Sequence, residues 1–545
     1  MNPKGYFSLV LHAHLPFVRH PEYERFLEED WYFEALTETY LPLLEVFEGM
    51  ERDRIHFRVT MSLTPPLLSM MTDPMLQQRF VRYLDERLAG IKGELKRTQD
   101  DPYYHPVVQY YQQRFTRLRE QFVDQYQHDV TRGFRRLMEH GFLEIITCSA
   151  THGFFPLLAT DEESLYAQLS MAVRTHERIL GRRPKGIWLA ECGYTPGVDR
   201  MLAEFGIEFF FVDSHGVLDA NPSPKYGVHR PIRTPGGPAA FGRDYESSKQ
   251  VWSAEEGYPG DTIYREFYRD VGFDVQAPHV DAMLHDGIKC FTGLKYHRIT
   301  GKGDWKEPYH PQWASERAAE HAGNFLHNRQ LQVQHLSSYM DRPPIVVAPY
   351  DAELFGHWWY EGPQWIDFLF RKMACDQQDV EAITPWEYMN RFGDLETVQP
   401  PECSWGAGGY NEVWLNGSND WIYPYLHAAA ERISQLAQRI PDADGDQRWA
   451  LDQAARELLL AQSSDWAFIM KTATSVEYAV RRTKTHIHRF NRLVDMVESG
   501  NYDHEYLRAV SERDSLFPDM DYRIFRKSGP LSARSGHKVG TDAYD

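Results

Sequence analysis

The chain has 545 residues, 42% of them hydrophobic and 25% charged, which is the composition of a folded globular protein with two or three domains. Its formal net charge of −19 argues against a nucleic-acid partner, because such proteins present a basic face to phosphate. The five cysteines are scattered without a Cys-x-x-Cys pair, so they indicate neither a zinc knuckle nor a disulfide framework, and they predict reduced thiols in a cytoplasm. The N-terminal apolar run is too short for a signal peptide, and the sequence predicts no membrane span.

Most of the chain alternates short apolar runs with helical patterns. Asp30 is predicted to cap a helix that Pro42 kinks, residues 74–140 form a helical insertion, and residues 161–180 form another helix. The runs predicted as buried strands are 6–11, 55–61, 143–147, the run that begins at Gly186, 208–212 and 345–348. Strands alternating with helices through short links imply parallel strands with right-handed crossovers, and their repetition around a circle gives a barrel.

Two regions depart from this alternation. Residues 231–274 carry Gly- and Pro-rich loop chemistry, and a further polar stretch extends the loop-rich region to residue 313. Pro400-Pro401 marks a boundary, after which helical patterns return at 423–438, 445–462 and 473–498. The predicted domains are a catalytic barrel at 1–400, a helical domain at 401–530 and a flexible tail at 531–545.

Polar residues follow several predicted strands at their carboxyl ends, namely His12, His14, His152, Glu191 and Asp351. Parallel strands all finish at one face, so these side chains are predicted to converge on one rim. Each has a structural alternative when taken alone. His12 could be a buried histidine bonded to backbone, Glu191 could cap the helix that starts near Pro196, and Asp351 could form an Asx-turn.

Two carboxylates that face each other across an aromatic pocket suit glycosidic bond chemistry, in which one attacks the anomeric carbon and the other protonates the leaving oxygen. The acid must keep its proton near neutral pH, so we expect apolar neighbours and the charge of Glu191 to raise the pKa of Asp351. A rival interpretation is zinc bound by His12, His14 and an aspartate, as in metal-dependent mannosidases and deacetylases. Pro16 disfavours it, because the pleat that would align the two histidines has ended.

Tryptophans beyond residue 400 lie in polar, Gly-rich surroundings, among them Trp405, Trp414 and Trp421. Ring faces pack against the apolar faces of sugars, although large domains also use such residues as core.

Five separated motifs together resemble glycoside hydrolase family 57, most closely its 1,4-α-glucan branching enzymes. They are His12–Pro16, Cys148–Pro156, Trp188–Tyr194, Ala348–His357 and Ser464–Trp466. The resemblance implies an α/β fold, a distorted (β/α)7 barrel with an inserted helical region and a C-terminal all-helical domain. It implies a retaining mechanism without metal or cofactor, with Glu191 as nucleophile and Asp351 as acid/base. His12, His152, Trp405 and Asp465 match residues that line the sugar site, and His14 and Trp414 are further substrate-binding candidates.

Branching enzymes of that family are similar in carrying a tyrosine near the tip of a flexible loop, and the counterpart here is predicted to be Tyr245, with Tyr258 as the alternative. The expected partner is an α-glucan, with no nucleic acid or membrane, and the expected assembly is a monomer or homodimer. The alternatives to a branching transferase are an α-amylase or 4-α-glucanotransferase on the same scaffold, the metal-dependent class, and a non-catalytic glucan-binding protein, which the presence of both carboxylates disfavours.

Overall fold

A computed structural model describes residues 3–253 and 256–527. They form two compact units. Unit 1 comprises the chain up to Leu63, Met70–Ile145 and Arg243–Gly393, and unit 2 comprises Thr64–Ser69, Ile146–Gly242 and the described residues from Asp394. No helix in these described ranges is long and apolar enough to cross a membrane. The predicted tail at 531–545 lies outside the described residues, and the predicted division at residue 400 stays a prediction.

The strands of the described chain are β1 (Gly5–Ala13), β2 (Val59–Leu63), β3 (Leu143–Cys148), β4 (Gly186–Trp188), β5 (Phe209–Val212), β6 (Ile232–Arg233), β7 (Ala239–Gly242), β8 (Ile345–Asp351) and β9 (Val380–Ala382). The α-helices are α1 (Glu29–Ala35), α2 (Leu41–Arg52), α3 (Pro65–Met71), α4 (Pro74–Arg97), α5 (His105–Glu120), α6 (Thr131–Glu139), α7 (Phe155–Leu158), α8 (Glu162–Leu180), α9 (Val198–Glu204), α10 (Ser214–Leu218), α11 (Tyr245–Trp252), α12 (Val271–Asp274), α13 (Pro278–Asp281), α14 (Pro311–Ser337), α15 (Gly362–Cys375), α16 (Pro385–Arg391), α17 (Tyr423–Arg439), α18 (Gly445–Ala461), α19 (Ser464–Thr472), α20 (Val476–Ser499) and α21 (His504–Arg513).

β1 is the central strand of the sheet in unit 1. It is buried along its whole length and pairs in parallel with β2 and β8, and with β9 near its start. A strand covered on both faces needs apolar side chains on both, which explains its nearly continuous apolar run. The register places Ser62 and Asp351 directly opposite His12, at the carboxyl ends of three neighbouring strands.

The sheet of unit 2 is also mostly parallel. β3, β4, β5 and β7 pair in parallel in that order, and β6 returns antiparallel to β7. Its core joins apolar residues of these strands to those of α8 and α9, for example Leu169, Ile187, Leu202 and Phe210, all of which are fully buried. β3 and β4 both end beside loops that carry candidate site residues, so this parallel pairing sets where those loops begin.

The predicted α/β class is confirmed, together with the helical insertion at 74–140 and the helical C-terminal region. Helix α8 agrees closely with its prediction because its signals are local. Asp161 accepts a hydrogen bond from the backbone N–H of Ser164 at its start, and Gly181 adopts φ 79° at its end.

Three local predictions are wrong. Asp30 does not cap its helix, because α1 begins at Glu29 and the Asp30 carboxylate instead pairs with His285 Nε2 at 2.8 Å. The second strand was predicted at 55–61 but begins only at Val59. The region 231–274 contains β6, β7, α11 and α12 where a loop was predicted, because β7 is only an Ala-Ala-Phe-Gly run that periodicity alone does not reveal.

The irregularity predicted at Pro42 takes the form of a π-helical turn, Leu36–Tyr40, between α1 and α2. In it, the backbone N–H of Leu41 bonds the carbonyl of Leu36, five residues back. Pro42 explains the break, because it has no N–H to offer the Glu38 carbonyl and its ring would crowd that group in a regular helix. The turn brings the side chains of Glu38 and Tyr40 against the segment that follows β8.

Gly356, in that same segment, packs against the turn. Its φ is +118°, and a Cβ added there would lie 1.8 Å from the Glu38 carbonyl oxygen. We expect Gly356→Ala to lower the melting temperature, at a cost of at least about 1 kcal/mol, because both the backbone conformation and the contact exclude a side chain. Gly303→Ala is the matched control, since its Cβ would meet nothing within 4 Å. Equal melting temperatures for the two variants would contradict the packing described.

Candidate active site

Glu191 lies in a 3₁₀ turn, Ala190–Cys192, just beyond β4, and its backbone is left-handed with φ 62° and ψ 24°. That conformation costs a residue with a side chain on the order of 1–2 kcal/mol, so the surroundings must hold it. An isolated bridge between Tyr194 and Cys403 closes the turn, and the Trp405 N–H donates to the Glu191 carbonyl at 3.0 Å. The strained turn is therefore fixed by the segment around residue 404.

Three side chains meet the Glu191 carboxylate within unit 2. The Trp405 indole N–H donates to Oε2 at 2.8 Å, the Ser464 hydroxyl lies 3.4 Å from Oε1, and His152 Nδ1 lies 3.8 Å from Oε1. Donors arranged around a carboxylate stabilise its negative charge and fix its orientation. An oriented, ionised carboxylate is the form that can attack an electrophilic carbon.

His152 and Ser464 bring a loop after β3 to the start of α19. His152 Nδ1 lies 2.7 Å from the Ser464 hydroxyl, and the Ser464 N–H donates to the His152 carbonyl at 3.0 Å. The predicted site residue Asp465 comes next in the chain and accepts a hydrogen bond from the Ser463 hydroxyl. The structure therefore brings His152, Glu191 and Trp405 together, with the Asp465 segment beside them.

The two predicted tryptophans differ in burial. Trp405 is half-buried and meets Trp188 edge-on, with ring centroids 4.9 Å apart. Trp414 is only 1% exposed and stacks on Phe154 at 4.5 Å, so its ring packs in the interior where the sequence suggested a sugar contact.

Unit 1 holds the second carboxyl group. Asp351 ends β8 opposite His12 on β1, and His12 Nδ1 lies 3.2 Å from the Ser62 hydroxyl. Burial, then the negative charge of Glu353, raise the pKa of Asp351 to about 8, and Arg243 acts against them. The charge that raises the pKa of Asp351 within unit 1 is that of Glu353, where the sequence predicted that of Glu191. A carboxyl that keeps its proton at neutral pH can serve as a general acid.

Glu353, a half-buried glutamate, is not among the site residues predicted from the sequence. Its Oε1 accepts hydrogen bonds from the Tyr40 hydroxyl and from the backbone N–H of His14, the latter at 3.2 Å. Burial raises its pKa to about 7, and the two hydrogen bonds act against that rise. The predicted site residue His14 thus contributes a backbone contact, and its ring stacks on that of His12 at 5.9 Å.

A second contact holds the same segment. His357 Nδ1 and Arg265 each lie 2.7 Å from the Glu38 carboxylate. Burial acts to raise the pKa of Glu38, but Arg265 and His357 outweigh it and lower the pKa to about 2. The π-helical turn therefore contacts the segment from Asp351 to His357 at two side chains, Glu353 and His357.

Two tyrosines were candidates for the loop tip. Tyr245 opens α11 after Asp244, which caps the helix by accepting from the Ser247 N–H at 2.8 Å, and its side chain is 67% exposed. Tyr258 is half-buried, and its hydroxyl donates to Asn324 Oδ1 at 2.7 Å. Residues 254–255 between them lie outside the described residues. Tyr245 is the more accessible of the two.

Among residues 3–253 and 256–527, two clusters of possible metal ligands lie within a single unit, Asp30–His285–Cys290 and Glu457–His486–Asp514. In the first, the Arg87 guanidinium lies 3.8 Å from Asp30; in the second, Arg489 pairs with Asp514. A guanidinium beside the ligands already neutralises the carboxylate, so both clusters are better described as buried ion-pair networks.

Two family models match consecutive parts of the chain. The model of glycosyl hydrolase family 57 matches residues 8–401, and the model of the 1,4-alpha-glucan branching enzyme C-terminal region matches residues 425–525. A 1,4-alpha-glucan branching enzyme from Thermococcus kodakarensis is 34% identical over 550 residues, covering 94% of this chain and 77% of that protein.

Solved structures agree with these matches. The α-amylase AmyC from Thermotoga maritima has a TM-score of 0.90 at 43% identity, covering 96% of this chain and 99% of its own. A family 57 branching enzyme from Pyrococcus horikoshii has a TM-score of 0.87 at 34% identity, covering 97% and 98%. The family model and these relatives extend over most of the chain, and the chain therefore belongs to glycosyl hydrolase family 57.

Proposed function

We propose that the chain is a retaining 1,4-α-glucan branching enzyme, which cleaves an α-1,4 bond of a linear glucan and reattaches the released chain through an α-1,6 bond. The observation that carries the proposal is the joint match of residues 8–401 to the family model and of 425–525 to the branching-enzyme C-terminal model. The curated relative at 34% identity supports it. The product is a glycogen-type glucan.

In the first step, a Glu191 oxygen attacks the anomeric carbon and the C1–O4 bond breaks. Asp351 gives its proton to the leaving O4, and a glycosyl ester of Glu191 forms with inverted configuration. The donors at Trp405 and Ser464 support this role, because they orient the Glu191 carboxylate before attack.

In the second step, the ionised Asp351 takes the proton of a glucan 6-hydroxyl, whose oxygen attacks C1 and releases Glu191. Two inversions retain the α configuration.

The second candidate function is that of an α-amylase, in which water replaces the glucan hydroxyl at this step and gives hydrolysis. The likeness to AmyC at 43% identity favours that candidate. No metal or cofactor enters either step. The enzyme is proposed to be cytoplasmic, supported by its five free cysteines, and to be a monomer or homodimer.

The two candidates differ in their products. We expect incubation with amylose, followed by debranching with an isoamylase, to release new short chains. Glu191→Gln should abolish these chains without changing the melting temperature, because glutamine keeps the shape of the side chain but cannot form the ester. Glu208→Gln, an exposed residue paired with Lys185, is the control. Reducing sugar without new short chains would identify an amylase. Turnover by Glu191→Gln at an ordinary rate would exclude Glu191 as the nucleophile.

The exposed ring of Tyr245 is proposed to help keep water from the glycosyl ester. We expect Tyr245→Ala to lower branching more than hydrolysis, measured as new short chains against reducing ends from the same digest. Tyr258→Ala serves as the comparison, since that ring is hydrogen-bonded at Asn324. An unchanged product ratio in Tyr245→Ala would remove this role.

The raised pKa of Asp351 predicts a pH dependence. The acid must be protonated, so kcat/KM is expected to fall as pH rises through about 8, where an ordinary aspartate has long been ionised. The measurement is a pH profile of initial branching rates. A profile that is already falling at pH 5 would contradict the assignment of Asp351 as the acid.

A further inference from the structure

Asp351 is the last residue of β8, and Glu353 lies two positions further on in the 3₁₀ turn Ala352–Leu354, where its carboxyl has different hydrogen-bond partners. Glu353 Oε1 accepts hydrogen bonds from the Tyr40 hydroxyl and the His14 N–H, whereas no hydrogen bond to the Asp351 carboxyl is present among residues 3–253 and 256–527. Hydrogen bonds from neutral donors favour the ionised form of a carboxyl group. As pH rises, Glu353 is therefore expected to lose its proton before Asp351.

We propose that Glu353, held by Tyr40 on the π-helical turn, is a positioning residue that keeps Asp351 protonated through its own negative charge. The inference rests on the proposed function, because it assigns Glu353 a part in the acid step of Asp351. Two like charges in a buried site cannot both form easily, so ionisation of Glu353 opposes ionisation of Asp351.

The other charged or titratable groups around the pair fit this assignment. Arg243 faces Asp351 and acts in the opposite direction, towards ionisation. His12 lies opposite Asp351 in the strand register and His14 reaches Glu353 through its backbone N–H. Tyr40 makes the two carboxyls differ in how easily they ionise, because within the described chain its hydroxyl contacts Glu353 and not Asp351.

The position of Tyr40 explains why the pairing is rigid. Tyr40 ends the π-helical turn, and Glu38 in the same turn is fixed by Arg265 and His357. Gly356 packs its backbone against the Glu38 carbonyl. The turn and the acid segment are thus joined at three places, which keeps the Tyr40 hydroxyl at Glu353.

The test is the pH profile of kcat/KM in Glu353→Gln. Glutamine keeps an acceptor for Tyr40 and His14 but carries no charge, so the alkaline limb is expected to move down by on the order of one pH unit. Tyr40→Phe should also move the alkaline limb to lower pH, because Glu353 without this hydrogen bond stays protonated up to a higher pH. Glu361→Gln is the matched control. Glu361 also has a raised pKa through burial and accepts from a tyrosine hydroxyl, that of Tyr309 at 2.6 Å, but it is not among the groups that act on Asp351.

An unmoved alkaline limb in folded Glu353→Gln would overturn the inference, since a merely structural role would not shift the profile. If that variant does not fold, as judged by its melting temperature, an unmoved limb in Tyr40→Phe would overturn it equally. The proposed function is tested apart from this by Asp351→Asn acting on an aryl maltooligosaccharide, whose phenolate leaves without a proton. If Asp351→Asn still turns over this substrate but its pH profile has lost the alkaline limb, Asp351 is the acid. If the alkaline limb persists in this variant, both the assignment of Asp351 and the inference about Glu353 are rejected.

Discussion

Parallel strand pairing decides where the candidate residues lie in each unit. In unit 1 it places Ser62, His12 and Asp351 in one row at the strand ends, and in unit 2 it sets the starting points of the loops that carry His152 and Glu191. The strands themselves are buried and apolar, so polar side chains can reach a substrate only at the strand ends. The candidate residues therefore lie in the last residues of strands, as His12 and Asp351 do, or in the loops just beyond them, as His152 and Glu191 do.

The two carboxyl groups have opposite surroundings, and their proposed roles follow from that difference. Glu191 receives an indole N–H and lies near a hydroxyl and an imidazole, all of which favour a negative charge. Asp351 has a negatively charged neighbour and a buried position, which favour the protonated acid. Assigning acid and nucleophile from environment in this way is a general approach for paired carboxyl groups.

Local signals made part of this structure predictable. Asp161 and Gly181 delimit α8, and the apolar runs that precede His12, Glu191 and Asp351 predicted that each follows a buried strand. The π-helical turn was not predictable in detail, because periodicity placed Tyr40 on the apolar face of one helix and gave no sign of its partner more than 300 residues away. The role of Glu353 depends on that same distant contact. The Asp-x-Glu spacing after β8 was the one local signal that could have indicated it. At Trp414 the local signal was misleading, because its neighbours in sequence are polar and yet its side chain is fully buried.

The left-handed backbone of His152, Glu191 and Cys192, at φ 61°, 62° and 52°, has a consequence for engineering this enzyme. Replacing a residue of positive φ with glycine removes a steric conflict in the folded chain, because glycine adopts this conformation freely. At Glu191 the same change would remove the reactive carboxylate itself, and at His152 and Cys192 it would loosen the backbone that positions it. A stability screen that ignored catalysis could therefore select variants here that withstand more heat but have lost part or all of their activity.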